Sequence, residues 1–407
     1  MKEAQRVINM NKKIYDAIII GGGIVGTSTA FSLQQKNINN VLVIEAEDKL
    51  AAHQTGNNSG VIHSGVYYKP GSLKAKLCSE GRELLYSFCE KHNILHERCG
   101  KIITATKKEE IPVLDEIEKR GIANGLKGIK RLGKEEIQEY EPYASGEEGL
   151  LIRETGIVDF IGFTNKLGEL IEQNGGEVLT SSKFLFVVSS SSGLVVETTK
   201  GDFECKMLIN CGGLQSDRIA KKCGLKPDVK IVPFRGEYYK LKKEKEYLVK
   251  NLIYPVPDPK FPFLGVHFTR MIKGGVEAGP NAVLAFKRNG YTYKDISVKD
   301  LTEMFFYPGF WKMSRRHYKM GINEFRRSLN KSLFVKALQK LVPSIEDQDI
   351  IPGGAGVRAQ ALDRNGKLVD DFRIIETEKQ IHVLNAPSPA ATASLAIGKY
   401  ICITLRK

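Results

Sequence analysis

The hydrophobic pattern of the first fifty residues predicts a strand, a helix and a second strand. An apolar run from Ile14 to Ile20 ends in three consecutive glycines, and the stretch from Ile24 to Gln35 has the composition of a helix. A second apolar run, Val41 to Ile44, then ends at Glu45. Strands that are apolar throughout are typical of a parallel sheet buried on both faces. The pattern therefore predicts a βαβ unit in a doubly wound α/β domain.

The rest of the chain divides into segments of different periodicity. Helical spacing is predicted for Leu73 to His92 and for the residues after Gly162 as far as Asn174, while strand-like segments at 183–188, 194–199 and 203–209 form a β-meander. From Val229 to Phe286, β-forming residues interrupted by Pro and Gly favour an antiparallel sheet. Residues 299–341 are predicted to be helical, and Ala390 to Leu405 to form a final apolar helix.

These segments predict an α/β chain with two interleaved domains. We assign residues 14–93, 150–228 and 345–407 to a discontinuous Rossmann-like domain. An inserted antiparallel-sheet domain is assigned to residues 94–149 and 229–344, and it carries a basic helical segment at 308–341. Since glycine-rich loops next to parallel strands bind ligands, a ligand site is expected in the first domain.

Composition places the chain among folded proteins that do not cross membranes. Of its 407 residues, 42% are hydrophobic and 27% charged, and no run of 18 apolar residues occurs. The seven cysteines form an odd set without a C-x-x-C pair, which argues against a disulfide framework or a structural metal site. A cytoplasmic location is therefore expected, because thiols stay reduced there.

The net charge of +14 is concentrated in one part of the chain. Between Trp311 and Leu341 there are nine lysines or arginines and one acid, Glu324. Apolar residues at helical spacing run through the same stretch, with aromatic residues before it: Phe305, Phe306, Phe310, Ile322, Phe325, Leu329 and Leu333. This composition is typical of a helix attracted to anionic lipid, so a peripheral position on the inner face of the membrane is one interpretation. A solvated helix packed on its own domain is the other.

A glycine fingerprint follows the first predicted strand. Gly21, Gly23 and Gly26 form G-x-G-x-x-G, and Glu45 ends the next strand 19 residues after the last glycine. The glycines permit a tight turn and close approach to a pyrophosphate, and the acid accepts hydrogen bonds from a ribose hydroxyl. The fingerprint predicts a dinucleotide site but does not separate FAD from NAD. Two small-residue segments, HQTGNNSGVIHSG and MLINCGGLQSD, favour the longer cofactor, FAD.

Several segments in the same order resemble one known family. They are IIIGGGIVG, HQTGNNSGVIHSGVYYKPGSLKA, INCGGLQSDRIA, PFRGEYY, FLGVHFTR, GGVEAGPNAVLAF, GVRAQALDRNGKLVDDF and NAPSPAATASLAIG. Together they resemble the L-2-hydroxyglutarate oxidase/dehydrogenase family of the FAD-dependent amino-acid-oxidase-like superfamily. The similarity spans residues 14–405 and is weakest at 94–150. It implies that FAD binds in the interrupted Rossmann-like domain and that the inserted β-sheet domain is the substrate domain. The implied reaction is oxidation of L-2-hydroxyglutarate to 2-oxoglutarate, with electrons passed to oxygen or a membrane quinone.

The resemblance and the fingerprint together give the expected cofactor-binding residues. Gly212 is a mild departure, since relatives more often carry alanine there, and the loss of one methyl group should be tolerated. A helix that starts after the Pro389 segment would direct its N–H groups at the flavin. The expected FAD-binding residues are Gly21, Gly23, Ile24, Val25, Gly26, Glu45, Ala46, Thr55, Gly56, Asn57, Asn58, Ser59, Gly60, Cys211, Gly212, Gly213, Gly356, Val357, Pro389, Ala390, Ala391 and Thr392.

Oxidation of a secondary alcohol by hydride transfer needs a base for the hydroxyl proton and cations for the carboxylates. Histidine is the natural base near neutral pH, and glycine-flanked His267 and then His63 are the catalytic candidates, with the choice between them open. Arg358 resembles the arginine that binds the substrate α-carboxylate in related amino acid oxidases. Candidates for the second carboxylate are Arg235, Tyr67, Tyr68, Lys69 and Tyr254.

Two rival functions remain at this stage. The nearer rival is an FAD-dependent amine or amino-acid oxidase on the same scaffold. The more distant one is an RNA-modifying flavoprotein, which the positive charge would help. The sequence contains no recognised nucleic-acid module or aromatic stacking platform, so no nucleic-acid partner is expected.

Overall fold

The computed structural model describes residues 13–258 and 264–404. Its strands are β1 (Ile14–Ile20), β2 (Val41–Ile44), β3 (Val61–Ile62), β4 (His96–Glu97), β5 (Lys101–Ala105), β6 (Ile129–Gly133), β7 (Glu148–Ile152), β8 (Gly156–Val158), β9 (Glu177–Leu179), β10 (Phe184–Ser190), β11 (Gly193–Thr198), β12 (Gly201–Asn210), β13 (Val229–Leu241), β14 (Leu252–Pro255), β15 (His267–Arg270), β16 (Val276–Gly279), β17 (Val283–Leu284), β18 (Ile350–Asp363), β19 (Arg373–Glu376) and β20 (Gln380–Asn385). Its α-helices are α1 (Ile24–Gln34), α2 (Leu73–Lys91), α3 (Ile111–Ala123), α4 (Lys134–Tyr140), α5 (Phe160–Gln173), α6 (Ser216–Lys222), α7 (Val298–Phe305), α8 (Pro308–Leu329), α9 (Lys331–Leu338) and α10 (Ser394–Thr404).

The first sheet has the strand order β10-β11-β12-β1-β2-β9, and β20 joins it beside β12. Strands β12, β1, β2 and β9 are parallel, whereas β10 and β11 form the predicted meander that leads into β12. Alternate residues of β1 pack in different cores: Ile19 belongs to the core that includes α1 and α10, and Ile18 to the core on the opposite face. The predicted βαβ unit is therefore confirmed, and so is the prediction that its sheet is buried on both faces.

The second sheet has the strand order β17-β13-β16-β15-β14-β5-β7-β6, with β18 along β13. Most of its neighbours are antiparallel, as predicted, but β14 and β5 run parallel. The parallel pair joins the two inserted segments, since β5 lies within residues 94–149 and β14 within residues 229–344. The predicted α/β class with a Rossmann-like domain and an inserted sheet is confirmed, and the sheet is mixed.

Strand β18 differs from the predicted domain boundary. Residues 345–407 were expected to belong to the first domain, yet β18 pairs with β13 from Val229↔Asp363 to Leu241↔Ile350 and so belongs to the second sheet. The strand leads into the turn before β19, which pairs with β20 in the first sheet. Residues 350–363 therefore connect the two sheets rather than completing the first.

Two predicted helices also differ in their bounds. The final helix begins at Ser394 rather than Ala390, because residues 388–393 form turns after the segment containing two prolines, and Leu405 lies outside the described residues. The basic segment is not one helix: α8 is kinked at His317, and α9 starts anew at Asn330, whose side chain accepts a hydrogen bond from the Leu333 amide. Asparagine at such a position caps a new helix.

Candidate active site

A cavity of about 760 Å³ lies between the glycine turn of the first sheet and strands β13 and β18 of the second. This volume is in the range of pockets that bind small molecules and cofactors. Most of the expected cofactor residues line it: Gly21, Gly23, Ile24, Val25, Glu45, Ala46, Thr55, Asn57, Asn58, Ser59, Cys211, Gly212, Gly213, Gly356, Val357, Pro389, Ala390 and Ala391. The carboxyl ends of parallel strands β1, β2 and β12 thus meet at one ligand-sized space, as expected for this architecture.

The glycine turn has no room for larger residues. Gly21 adopts φ of +113°, and a Cβ atom there would lie 2.5 Å from the carbonyl oxygen of Cys211. A Cβ atom on Gly26 would lie 1.9 Å from the carbonyl oxygen of Gly21. Gly23 caps α1 without a side-chain hydrogen bond, so the helix begins at the cavity with backbone N–H groups. Such a start binds phosphate groups.

Glu45 is held in place by backbone donors. Its carboxylate accepts hydrogen bonds from the amides of Gly22 (2.6 Å) and Glu47 (2.9 Å), and only 8% of the residue is exposed. Two carboxylate oxygens offer about four acceptor sites, so capacity remains for a hydroxyl donor from the cavity. The arrangement fits the predicted contact with a ribose.

Four expected cofactor residues lie around the cavity instead of lining it. Gly26 and Gly56 pack against backbone carbonyl oxygens. Gly60 adopts a turn conformation with a φ of +66°. The Thr392 hydroxyl accepts a hydrogen bond from the His63 amide. At Gly212, the space that a methyl group would fill is taken by Ile219, whose Cδ1 lies 2.2 Å from the ideal Cβ position. The departure at Gly212 is thus compensated by its neighbour.

Replacing Gly26 with alanine is expected to abolish cofactor retention. The added methyl group would overlap the Gly21 carbonyl, and the backbone that approaches the pyrophosphate would have to move. Absorbance of the purified protein near 450 nm gives the bound flavin. Gly321→Ala on α8 is the matched control, because nothing lies within 4 Å of its Cβ position, and it should retain full flavin content. Normal flavin content in Gly26→Ala would contradict the assigned turn.

At one end, the cavity is lined by polar residues from four parts of the chain. They are His63 from the loop after β3, Tyr238 of β13, Arg358 of β18 and Ser388 of the turn before α10. His63 Nε2 lies 3.3 Å from the Ser388 hydroxyl oxygen. Arg358 is desolvated by the protein around the cavity, which lowers its pKa, while Tyr238 and Tyr68 oppose that shift. The predicted residues His63 and Arg358 therefore share one end of the cavity.

His267 belongs to the same polar group. It is 6% exposed, and its ring stacks on that of Tyr254 with centroids 3.9 Å apart. Its Nδ1 lies 2.9 Å from the Gly265 carbonyl oxygen, so Nδ1 carries the proton and Nε2 keeps its lone pair. Burial lowers the pKa of His267 to about 4, and nearby Lys101 and Arg358 contribute to the shift. His267 is therefore a neutral proton acceptor at physiological pH.

The pKa of His63 is lowered further than that of His267. Burial lowers its pKa to about 3, and the positive charges of Lys101, Lys74 and Arg358 act in the same direction. The cations named here converge on a small region. A region with this potential favours a ligand that carries negative charge.

The candidates for a second carboxylate occupy different environments. Arg235 is 1% exposed and is paired with Glu237 at 2.8 Å, so its charge is already compensated. Lys69 is exposed at the surface. Tyr67 and Tyr254 face the ammonium of Lys101, with ring centroids 4.6 and 4.7 Å away. The structure brings Tyr67, Tyr68 and Tyr254 to the polar group, whereas Arg235 is taken up by an ion pair.

Three residues of the polar group were not identified from the sequence. Tyr238 and Ser388 lie in two of the segments that carry the resemblance, PFRGEYY and NAPSPAA. Their position in those segments could have suggested a role for them. Lys101 lies in CGKIITA, where a lysine before an apolar strand looks like an ordinary surface residue. The only available signal was that β5 begins with a charged residue and continues with two isoleucines.

The remaining histidines have other partners. His382 is fully buried and lies between Asn210 (3.1 Å) and Gln380 (2.9 Å). His53 lines the opposite part of the cavity, where its Nε2 pairs with Glu47 at 2.9 Å. Neither lies with Arg358, which supports the restriction of the base to His267 and His63.

The residues present fit an FAD molecule. The glycine cradle excludes any Cβ atom, the start of α1 supplies amides for the pyrophosphate, and Glu45 has acceptor capacity for the ribose. The cavity then continues past Gly356 to the polar group around Arg358. This length suits a cofactor larger than a single nucleotide.

Comparisons with known proteins agree with this geometry. The model of the FAD dependent oxidoreductase family matches residues 16–402. L-2-hydroxyglutarate dehydrogenase of Indibacter alkaliphilus is 53% identical over 390 residues, which cover 95% of this chain and 98% of that protein. The human mitochondrial L-2-hydroxyglutarate dehydrogenase is 44% identical, with 95% and 88% covered.

Solved structures show the same fold at low identity. L-α-glycerophosphate oxidase from Mycoplasma pneumoniae, solved with FAD bound, superposes with a TM-score of 0.79 at 23% identity and covers 97% of this chain and 95% of its own. Glycine oxidase from Geobacillus kaustophilus gives 0.72 at 17% identity, covering 96% and 94%. The resemblance noted in the sequence is confirmed. The chain is an FAD-dependent oxidoreductase and belongs to the L-2-hydroxyglutarate dehydrogenase family.

Proposed function

We propose that this protein oxidises L-2-hydroxyglutarate to 2-oxoglutarate. The observation that carries the proposal is that Arg358 and His63 line the cofactor cavity together, with Lys101 and His267 close enough to act on the pKa of His63. Cations suit a substrate with carboxylates, and a neutral imidazole suits an alcohol that must lose a proton. Relatives with 43 to 53% identity carry the corresponding name.

Each residue of the polar group has a distinct task in this reaction. Arg358 binds the α-carboxylate through its planar guanidinium and so orients the C2 carbon. His267 accepts the hydroxyl proton at Nε2, the nitrogen left free by the hydrogen bond between Nδ1 and Gly265. FAD, when bound, supplies the two-electron acceptor for the hydride that leaves C2. Residues Pro389 to Ala391 line the same cavity as Arg358.

A substrate panel tests this function. Anaerobic mixing of the yellow holoenzyme with L-2-hydroxyglutarate should bleach the flavin absorbance rapidly. D-2-hydroxyglutarate, L-lactate, sarcosine, glycine and L-proline are the comparison substrates. Faster bleaching by sarcosine, glycine or proline than by L-2-hydroxyglutarate would favour the amine oxidase alternative and overturn the proposal.

The electrons then pass to oxygen or a quinone, and the surface of α8 favours a quinone in a membrane. Four apolar or aromatic residues of α8 are 54 to 75% exposed and recur at spacings of seven and four residues: Trp311, Tyr318, Ile322 and Leu329. Basic residues are exposed beside them: Lys312, Arg315, Arg316, Lys319 and Arg326. An apolar stripe flanked by cations is typical of helices that lie on anionic lipid.

The apolar stripe in the structure does not consist of the same residues as the stripe predicted from the sequence. Phe310, expected to be part of it, is 6% exposed and packs with Met304 and Met313, and Phe325 is half-buried. Phe306 is 85% exposed and extends the apolar surface toward α7. Within residues 13–258 and 264–404, no helix is long and apolar enough to cross a bilayer. We therefore propose contact with one face of an anionic membrane through α8.

Trp311 provides a direct test, because it is the only tryptophan of the chain. Vesicles that contain phosphatidylglycerol should shift its fluorescence to shorter wavelength, and vesicles of phosphatidylcholine alone should not. High salt should reverse the shift, since screening weakens the attraction of the cations. Charge reversal at Arg315 and Lys319 should abolish it. An unchanged spectrum, or binding to RNA in its place, would contradict the membrane proposal.

A further inference from the structure

Lys101 is the most deeply buried cation of the polar group. It begins β5 in the middle of the second sheet, opposite Ile152 of β7, and 1% of its surface is exposed. Its Nζ lies 4.6 Å from the ring centroid of Tyr67 and 4.7 Å from that of Tyr254. Since Tyr254 stacks on His267, the ammonium is one ring away from the proposed base.

This ammonium has aromatic neighbours and no anion. In the part of the chain that the structure describes, no hydrogen bond or ion pair joins Lys101 Nζ to a carboxylate. Contacts with aromatic faces contribute about 0.5 to 2 kcal/mol, which is less than the several kcal/mol lost when an ion leaves water. Burial accordingly lowers the pKa of Lys101 to about 7. The folded protein therefore maintains this lysine at a cost.

The hydroxyl of Tyr67, whose ring faces the Lys101 ammonium, also lacks a partner in the described part of the chain. The Tyr67 hydroxyl is buried and has no hydrogen-bond partner within the described residues. A buried hydroxyl without a partner costs about 1 to 3 kcal/mol. An anion bound here would satisfy both groups, because it can accept from the ammonium and from the hydroxyl.

We propose that Lys101 binds the distal carboxylate of the substrate and so makes the enzyme select dicarboxylic over monocarboxylic 2-hydroxy acids. Tyr67 donates a second hydrogen bond to that carboxylate. This inference rests on the proposed function, with Arg358 taking the α-carboxylate. A monocarboxylic substrate would leave the ammonium buried without an anion, and unpaired buried groups are what give a polar site its selectivity.

Binding of unreactive acids to the holoenzyme tests this role without turnover. Glutarate has both carboxylates, and butanoate has only one, and each perturbs the flavin spectrum when it binds beside the flavin. The wild-type protein should prefer glutarate. Lys101→Met should weaken glutarate binding by about 30-fold or more and leave butanoate binding unchanged, because one buried charged contact is lost. Lys101→Arg should restore part of the preference, and Lys240→Met, half-exposed on β13, should behave as wild type.

A pH series on the wild-type protein adds a test that needs no variant. Glutarate binding should weaken as the pH rises above 7, because neutral Lys101 no longer attracts the carboxylate, whereas butanoate binding should not follow this trend. Equal losses for both acids in Lys101→Met, or parallel pH profiles, would overturn the role of Lys101 even if L-2-hydroxyglutarate is oxidised. If glutarate selectivity depends on Lys101 but L-2-hydroxyglutarate does not reduce the flavin, the proposed function fails and the anion site stands.

Discussion

Replacing Arg358 with alanine should raise the KM for L-2-hydroxyglutarate by about 30- to 5,000-fold, which corresponds to about 2 to 5 kcal/mol. The guanidinium lines the cavity among Tyr68, Tyr238 and His63, and its removal would leave the α-carboxylate without its charged donor. Steady-state kinetics of the holoenzyme provide the measurement. Flavin content should not change, because Arg358 follows the segment that packs on the cofactor loop through Gly356.

Two further variants sharpen this experiment. Arg358→Lys keeps the charge but loses the two parallel hydrogen bonds, so it should recover only part of the affinity. Arg364→Ala, an exposed residue in the turn after β18, should have wild-type kinetics. An unchanged KM in Arg358→Ala would remove the arginine from the substrate site.

Replacing His267 with alanine should slow flavin reduction by about 10²- to 10⁴-fold, the usual contribution of a positioned general base. Stopped-flow absorbance under anaerobic conditions measures this step separately from reoxidation. FAD content should stay normal, since His267 lies in the second sheet, away from the glycine turn. A normal rate in His267→Ala, together with a slow rate in His63→Ala, would transfer the role of base to His63.

The pH profile gives the same assignment a sign. His267 accepts a proton only when neutral, and burial holds its pKa near 4 in the free enzyme. Activity in terms of kcat/KM should therefore persist as the pH falls from 7 to 5 and be lost as it passes through about 4. An acid limb near the ordinary histidine value of about 6.5 would mean that the base is exposed to water, unlike His267.

Those parts of the fold that depend on local patterns were predictable. Strand β1, helix α1 and strand β2 follow the predicted bounds to within one residue, because apolar runs, glycines and an acid mark their ends. The meander of β10 to β12 was predictable for the same reason. Gly21 and Gly23 of the glycine fingerprint line the cavity, and a cofactor site could be predicted there because its chemistry is contained in consecutive residues.

Features that depend on distant partners were not predictable. Residues 350–363 were assigned to the first domain, because their apolar pattern does not say which strand they pair with, and the structure pairs them with β13 in the second sheet. The start of α10 was misplaced because turns at 388–393 precede the helix. Lys101 was missed because a buried lysine has no local mark. Only the approach of Tyr67 and Tyr254, 34 residues before and 153 residues after it, reveals its environment.

The cofactor cavity draws its walls from separate stretches of the chain, and this imposes an order of assembly. The glycine turn at 21–26 is synthesised before the opposing wall at Gly356 to Arg358 and the turn at 388–391. Chains emerge from the ribosome at about 5 to 20 residues per second, so the turn waits tens of seconds for its partners. The complete cavity therefore exists only after residue 391 has been synthesised.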